Sequence, residues 1–437
     1  MRRWALRHTD PDAHRMPDLS HSVYNLLVWA VQPLLRRKWA RRALAEPGYA
    51  VAVPERFGHY SQPPEPAREL VWVHAVSLGE SRAAGILLQA LREALPEVRI
   101  LLTHGTATGR AEGARLLQPG DVQVWQPWDT PAAVQAFLCH FRPRIGLLME
   151  TEVWPNLVRQ SARAGVPLAL VNARMSEKSL HAARRWSSLM QPSYAALAAV
   201  WAQTEADAQR LRMLGAQVQA VTGNLKFDAQ PDAAQLARGQ AWRAALQRPV
   251  CLLASSREGE EAQWLEAVQA LSQEVHWLIV PRHPQRVGEV EALLQGAGLS
   301  VSRRSAWGDA GPSAVAGAQV WLGDSLGEMA LYYSLADVAL LGGSFEPLGG
   351  QNLIEAAACG CPVVMGPHTF NFLEAAQQAE GAGAALRVAD MGAAVRQAQD
   401  LARDAAARQA VSVAARAFAQ AHKGAARRVA GLVKQML

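Results

Sequence analysis

Cysteine is scarce, with four residues in 437. That is too few for a disulfide scaffold. Cys139, Cys251, Cys359 and Cys361 lie in or beside apolar runs, where buried, reduced thiols are expected. Cys359-Gly360-Cys361 has no second Cys or His pair beside it, so a zinc ligand set is missing. No run approaches the roughly 20 apolar residues that a membrane-crossing helix needs, which excludes a polytopic membrane protein. Charged residues make up only 19% of the chain against 50% hydrophobic, which excludes a disordered polymer. Neither a GxGxxG dinucleotide fingerprint nor a Walker A sequence is present. The net charge is only +6. Nearly all of it falls in residues 1–50, which hold nine basic and four acidic side chains. The near-neutral remainder argues against a broad nucleic-acid face.

What is present is length enough for two hydrophobic cores, since one core rarely grows past about 250–300 residues. The N-terminal fifty residues stand apart. An apolar stretch from Tyr24 to Leu35, interrupted by Gln32 and Pro33, runs into Arg36-Arg37-Lys38-Trp39-Ala40-Arg41-Arg42. A signal peptide carries its positive charge before the apolar region, and here the densest charge follows it. Apolar residues flanked by Arg, Lys and Trp suit a segment lying in an anionic bilayer surface. The alternative is an amphipathic helix docked on the protein itself. Residues 1–15 are polar and patternless, which makes Met16 a second candidate start.

From residue 70 short apolar runs alternate with helical periods. Strands are expected at 70–74, 99–103, 145–149, 168–171 and 199–201. A looser Ala/Gln-rich stretch over 228–248 reads as a linker plus a helix. The alternation then restarts at 250–254, 276–280, 320–322, 338–341 and 362–365. Residues 303–318 read as a surface loop, and the last forty as helix. Continuous apolar strands alternating with helices imply parallel sheets covered on both faces. The expected organisation is an α/β chain with three parts: a membrane-associated segment (1–50), a Rossmann-like domain (51–228) and a second one (229–437). Ligands bind at the strand C-termini of such sheets.

Polar motifs cluster at those strand ends. Ser77-Leu78-Gly79-Glu80 follows the first strand, so Glu80 stands at a helix start. It is there either a charge complementing the helix dipole or a general base. Met149-Glu150-Thr151-Glu152-Val153-Trp154-Pro155-Asn156 puts two carboxylates between a strand and a helix. A carboxylate so placed stabilises a helix N-terminus or an oxocarbenium-like cation. Lys226 ends the first half, as a solvated linker lysine or as a partner for a phosphate leaving group. In the second half, Ala254-Ser255-Ser256-Arg257-Glu258-Gly259 can hold an anion on its backbone N–H groups. Arg282 offers a planar fork for phosphate or a base edge. The Gly342–Gly350 region opens a helix in which Glu355 can accept from ribose hydroxyls.

Together these residues resemble the 3-deoxy-D-manno-octulosonic acid (Kdo) transferase family, glycosyltransferases of lipid A assembly. The resemblance covers nearly the whole chain. It rests on His74-Ala75-Val76-Ser77-Leu78-Gly79-Glu80, Glu150-Thr151-Glu152-Val153-Trp154-Pro155-Asn156, Asn224-Leu225-Lys226-Phe227-Asp228, Pro281-Arg282-His283-Pro284, Gly323-Asp324-Ser325-Leu326-Gly327-Glu328 and Gly366-Pro367-His368-Thr369-Phe370-Asn371-Phe372. It implies a glycosyltransferase-B fold whose first half takes a phosphorylated lipid A precursor and whose second takes CMP-Kdo. It also implies inversion at the anomeric carbon, no cofactor and no bound metal, at the cytoplasmic face of the inner membrane. Glu80 matches the family's general base, and Glu150 and Lys226 its transition-state stabilisers. Arg282, His283, Leu326, Gly327, Glu328, Asn352, Leu353, Ile354 and Glu355 match its CMP contacts. Many members carry His where Gln351 stands and Pro where Leu353 stands, so a contact from side chain 351 is not implied. The rival expectations are a glycosyltransferase-B enzyme using a UDP-sugar, a catalytically silent lipid-binding scaffold, and a sugar epimerase of the same fold.

Overall fold

Strands apolar on both faces can be satisfied only inside a sheet covered by helices on each side. The computed structural model, which describes residues 19–65, 70–268, 274–312 and 317–437, contains two such sheets. Of the described residues, those up to 225 together with 424–437 form one compact unit and those from 226 to 423 another.

The first sheet comprises β1 (Leu70–His74), β2 (Arg99–His104), β3 (Val122–Trp125), β4 (Ile145–Met149), β5 (Leu168–Ala173), β6 (Ala199–Ala202) and β7 (Val218–Val221). All are parallel, in the order β3-β2-β1-β4-β5-β6-β7. Every residue of β1, β4, β5 and β6 is buried. Two apolar layers result. One face packs Trp72, Leu101, Phe137, Leu148, Leu157 and Leu170, and the other Val73, Leu87, Leu91, Leu147, Val429 and Val433.

The second sheet comprises β8 (Val250–Ser256), β9 (His276–Pro281), β10 (Val301–Arg303), β11 (Val320–Leu322), β12 (Val338–Leu341), β13 (Val363–Met365) and β14 (Ala385–Arg387). It is parallel in the order β10-β11-β9-β8-β12-β13-β14. It too is covered on both faces.

Some expectations are corrected. Residues 424–437, expected in the second domain, pack in the first unit. There α17 (Ala425–Met436) lies along α2 (Leu78–Ala94), burying Ala426, Val429, Ala430 and Val433 against Leu87 and Leu91. The stretch read as linker plus helix is built that way, with α9 (Ala233–Ala244) packed on α12 (Met329–Leu335). The expected surface loop at 303–318 is anchored by Trp307, which packs against Trp242 and Trp321; residues 313–316 lie outside the described residues. Cys139 is exposed, because α4 (Pro131–Phe141) turns Val134, Phe137, Leu138 and Phe141 inward instead.

The N-terminal segment is one long helix, α1 (Leu19–Ala45), with Pro33 inside it. Its docked face is polar as much as apolar: His21, Tyr24, Asn25, Gln32 and Trp39 turn toward the unit. Arg56 lies between the rings of Trp39 and Trp125, at 4.0 and 3.8 Å from their centroids, and Trp39 meets Trp128 edge-on. The outer face carries Leu26 (64% exposed), Trp29 (68%) and Leu34 (63%). Arg37, Lys38, Arg41 and Arg42 line an open groove beside Leu34. Ordinary docked helices bury their apolar stripe, whereas α1 turns Val28 and Leu35 inward only in part and leaves Leu26, Trp29 and Leu34 outside. Among the described residues no helix is long and apolar enough to cross a membrane. Met16 and the basic residues before it lie outside the described residues.

Candidate active site

Strand order places the site. In the first sheet β1 lies between β2 and β4, so the chain moves one way from β1 and the other way from β4. The crevice at the carboxyl ends of such a pair is where open α/β sheets bind ligands. Glu80 lies in the first turn of α2, which follows β1, and Glu150 on the loop that leaves β4.

Glu80 is held by a capping box. Ser77 is the N-cap of α2, and its Oγ accepts from the Glu80 N–H at 3.3 Å. In return Glu80 Oε1 accepts from the Ser77 hydroxyl at 2.8 Å and Oε2 from the Val76 N–H at 2.9 Å. The helix-start role and a fixed, oriented carboxylate are therefore one arrangement. Glu150 is buried, with its backbone in the left-handed region (φ 53°), and its Oε2 lies 3.0 Å from Arg174 Nε. Such a conformation costs a non-glycine residue about 1–2 kcal/mol and must be imposed by surrounding contacts. Here the Glu150 N–H donates to Val171 O and the Glu150 carbonyl accepts from the Arg174 N–H.

Glu152 completes a trio of carboxylates. Its Oε2 accepts from Trp154 Nε1 at 2.8 Å and lies 3.9 Å from Nε2 of His74. Burial, then the charge of Glu80 and to a lesser degree that of Glu150, push its carboxyl up to about 7, against the Trp154 hydrogen bond. His74 is fully buried. Burial and the neighbouring His104 lower it to about 3, so its contact with Glu152 is no ion pair at neutral pH. Its Nδ1 lies 2.7 Å from Thr103 Oγ1.

The second sheet repeats the plan, with β8 between β9 and β12. Glu260, fully buried, accepts from the N–H groups of Gly343 (2.7 Å), Arg257 (2.9 Å) and Phe345 (3.1 Å). It thus ties the loop after β8 to the Gly-rich loop after β12. Gly342 admits no side chain, since a Cβ there would lie 2.3 Å from Ser255 O. Arg282 Nε donates to Gln351 Oε1 at 3.1 Å. His283 is lowered by burial and by the charges of Arg257 and Arg282, against that of Glu258.

The remaining predicted donor contacts are divided. Leu326 is exposed, and Gly327 has φ +82°. Glu328 is paired with Arg304 at 3.1 Å. Asn352 caps α13 (Leu353–Cys359), accepting from the Ile354 N–H at 3.2 Å, and Glu355 sits in its first turn. The side chains of Leu353 and Ile354 turn into the core, so only their backbone can face a ligand. Lys226 opens the second unit, with Nζ 5.4 Å from the centre of the Phe372 ring. The structure thus brings Glu80 and Glu150 to one switch point. It adds Glu152, Arg174, Arg257 and Glu260, which the site prediction omitted. Glu152 was legible inside its motif; the pairing of Arg174 with Glu150 depends on β4 and β5 being neighbours.

Known proteins resemble this chain in sequence and in fold. Residues 52–229 match the family described as 3-Deoxy-D-manno-octulosonic-acid transferase (kdotransferase). The 3-deoxy-D-manno-octulosonic acid transferase of Bordetella pertussis is 48% identical over 436 residues, covering 96% of this chain and 100% of its own. The Haemophilus influenzae protein of the same name is 32% identical over 358 residues, covering 80% and 83%. Among solved structures, a glycosyltransferase from Rickettsia africae matches 85% of this chain and 99% of its own with a TM-score of 0.57. At 12% identity that likeness concerns the fold alone, and it agrees with the glycosyltransferase-B architecture. With identity at this level along nearly the whole length of both chains, the protein belongs to the 3-deoxy-D-manno-octulosonic acid transferase family of glycosyltransferases.

Proposed function

We propose that this chain moves Kdo from CMP-Kdo to a hydroxyl of a phosphorylated lipid A precursor, with inversion and without a bound metal. Family membership supports the reaction class, Kdo transfer in lipopolysaccharide assembly. The observation that carries the residue assignment is the placement of Glu80, in the first turn of α2, and Glu150, on the loop after β4, at the two strand ends that flank the switch point of the first sheet. A sugar hydroxyl is a weak nucleophile, so a positioned carboxylate must take its proton as the new bond forms. Glu80, its oxygens already oriented by Ser77 and Val76, is the base in this reading.

The carbon under attack gains oxocarbenium character, and the buried Glu150 carboxylate opposes that charge. Negative charge builds on the departing cytidylate, which Lys226, Arg282 and His283 stabilise. By analogy with oxyanion-hole donors each such group contributes about 2.7–4 kcal/mol. Leu326, Gly327, Glu328, Asn352, Leu353, Ile354 and Glu355 hold the nucleotide, the buried pair through backbone groups. The outward apolar face of α1 and the basic groove beside it seat the enzyme on the cytoplasmic face of the inner membrane, where the acceptor resides.

Incubation with CMP-Kdo and tetra-acylated lipid A precursor, followed by product mass, tests the reading. A product heavier by whole Kdo units, with inhibition by CMP and not by UDP, is expected. Transfer from a UDP-sugar, or no transfer, would overturn it.

A further inference from the structure

The loop that carries Glu150 and Glu152 ends in α5 (Pro155–Arg163). A helix start leaves N–H groups without intrahelical acceptors. The N-cap of α5 is Trp154, whose indole has only a donor, and no side chain of that residue caps the helix. The acceptor comes from elsewhere. Asp129, just before α4, takes the Asn156 N–H on Oδ2 at 3.1 Å and the Leu157 N–H on Oδ1 at 2.8 Å.

Asp129 is itself held from α1. Its Oδ2 accepts from the Tyr24 hydroxyl at 2.6 Å. Asn156, fully buried, donates to Asp129 O at 2.6 Å and to Asn25 Oδ1 at 2.8 Å, and its Oδ1 lies 2.8 Å from His21 Nε2. Three α1 residues therefore complete the start of a helix whose preceding loop bears two of the site's three carboxylates. Burial raises the Asp129 carboxyl, and its three donors oppose that rise. Each is needed, because a buried acceptor left short of partners is costly.

We propose that Tyr24 and Asp129 are positioning residues for the 150–154 loop, so that the seating of α1 on the first unit sets the turnover rate as well as the enzyme's place on the membrane. The inference rests on the reading of Glu150 as a reaction-site group. The left-handed backbone at Glu150 persists only while its surroundings hold it. The first turn of α5 anchors the far end of that loop. The same helix that offers an apolar face to lipid thus carries, on its other face, the hydroxyl that steadies this anchor.

The test uses the full-length enzyme with detergent-dispersed acceptor, so that membrane residence does not limit the rate. Tyr24→Phe removes one hydroxyl and leaves the ring. The expected result is a fall in kcat of about tenfold, a fraction of what a 1 Å misplacement of a reacting group costs. KM values for donor and acceptor stay within about twofold of wild type, and partition onto anionic vesicles is unchanged. Hydrogen exchange across residues 150–157 speeds up without a global rise. Wild-type kcat, a change confined to KM, or unaltered exchange over 150–157 would overturn the inference. Glu150→Gln, assayed alongside, separates the two readings. Inactive Glu150→Gln with wild-type Tyr24→Phe defeats the coupling alone, whereas fully active Glu150→Gln defeats the loop's catalytic assignment and this inference with it.

Discussion

At the scale of single residues, the site is three carboxylates whose environments differ. Glu80 is fixed by a hydroxyl and a backbone amide, Glu150 by a guanidinium, and Glu152 by an indole N–H beside a neutral imidazole. Glu80→Gln keeps one acceptor oxygen for the Val76 N–H and removes the base. Turnover measured by product mass is expected to fall between about a hundredfold and ten-thousandfold, with the circular dichroism spectrum unchanged. Glu152 gives a stability prediction with a definite sign. Its native carboxyl titrates near 7, above its unfolded value of 4.5, so the native state binds this proton more tightly than the unfolded chain does. Its favourable contribution is complete below pH 4.5 and is lost as pH rises through 7, at no more than about 1.4 kcal/mol per pH unit. Urea unfolding of wild type at pH 5 and pH 8 should show that loss, and Glu152→Gln should flatten it. An equal slope in the variant would mean that the carboxyl does not titrate there.

At the scale of elements, the inner strands were readable from the chain and the outer strands were not. The four strands absent from the sequence reading are β3, β7, β10 and β14, which are the four edges of the two sheets. An inner strand is covered on both faces and alongside, and its sequence is one unbroken apolar run, as in Ile145-Gly146-Leu147-Leu148-Met149. An edge strand is partly open, so Val218-Gln219-Ala220-Val221 and Val301-Ser302-Arg303 carry polar residues and lose that signature. α1 shows the converse. Its apolar content was visible, but the side that faces out is set only by what it docks on. Replacing Trp29 and Leu34 together by Asp should weaken binding to anionic vesicles by at least about tenfold in sedimentation, since each exposed apolar side chain adds about 1.5–3 kcal/mol when buried in lipid. Changing Arg37, Lys38 and Arg41 to Ala should cost roughly a hundredfold at low salt and little at high salt, given about 1 kcal/mol per basic residue near an anionic surface. Binding insensitive to both sets would remove α1 as the contact.

At the scale of the whole molecule, each unit carries its own pair of apolar layers, and the chain returns to the first unit at its end. Deleting residues 424–437 strips Val429 and Val433 from the layer over α2, each worth about 1.5–3 kcal/mol when fully buried. Calorimetry should then show a lower transition for the first unit with that of the second unmoved, and an unchanged thermogram would mean that α17 contributes no packing. The sequence by itself determined the parallel α/β class, the two-unit plan and the position of each polar motif at a strand end, because burial on both faces writes itself into contiguous residues. Only the tertiary structure decided which strands became neighbours and with them the pairing of Arg174 with Glu150. It also decided the capping of α5 by Asp129, itself held by the Tyr24 hydroxyl, and the home of the last helix. Those contacts join residues far apart along the chain, and no local pattern records them.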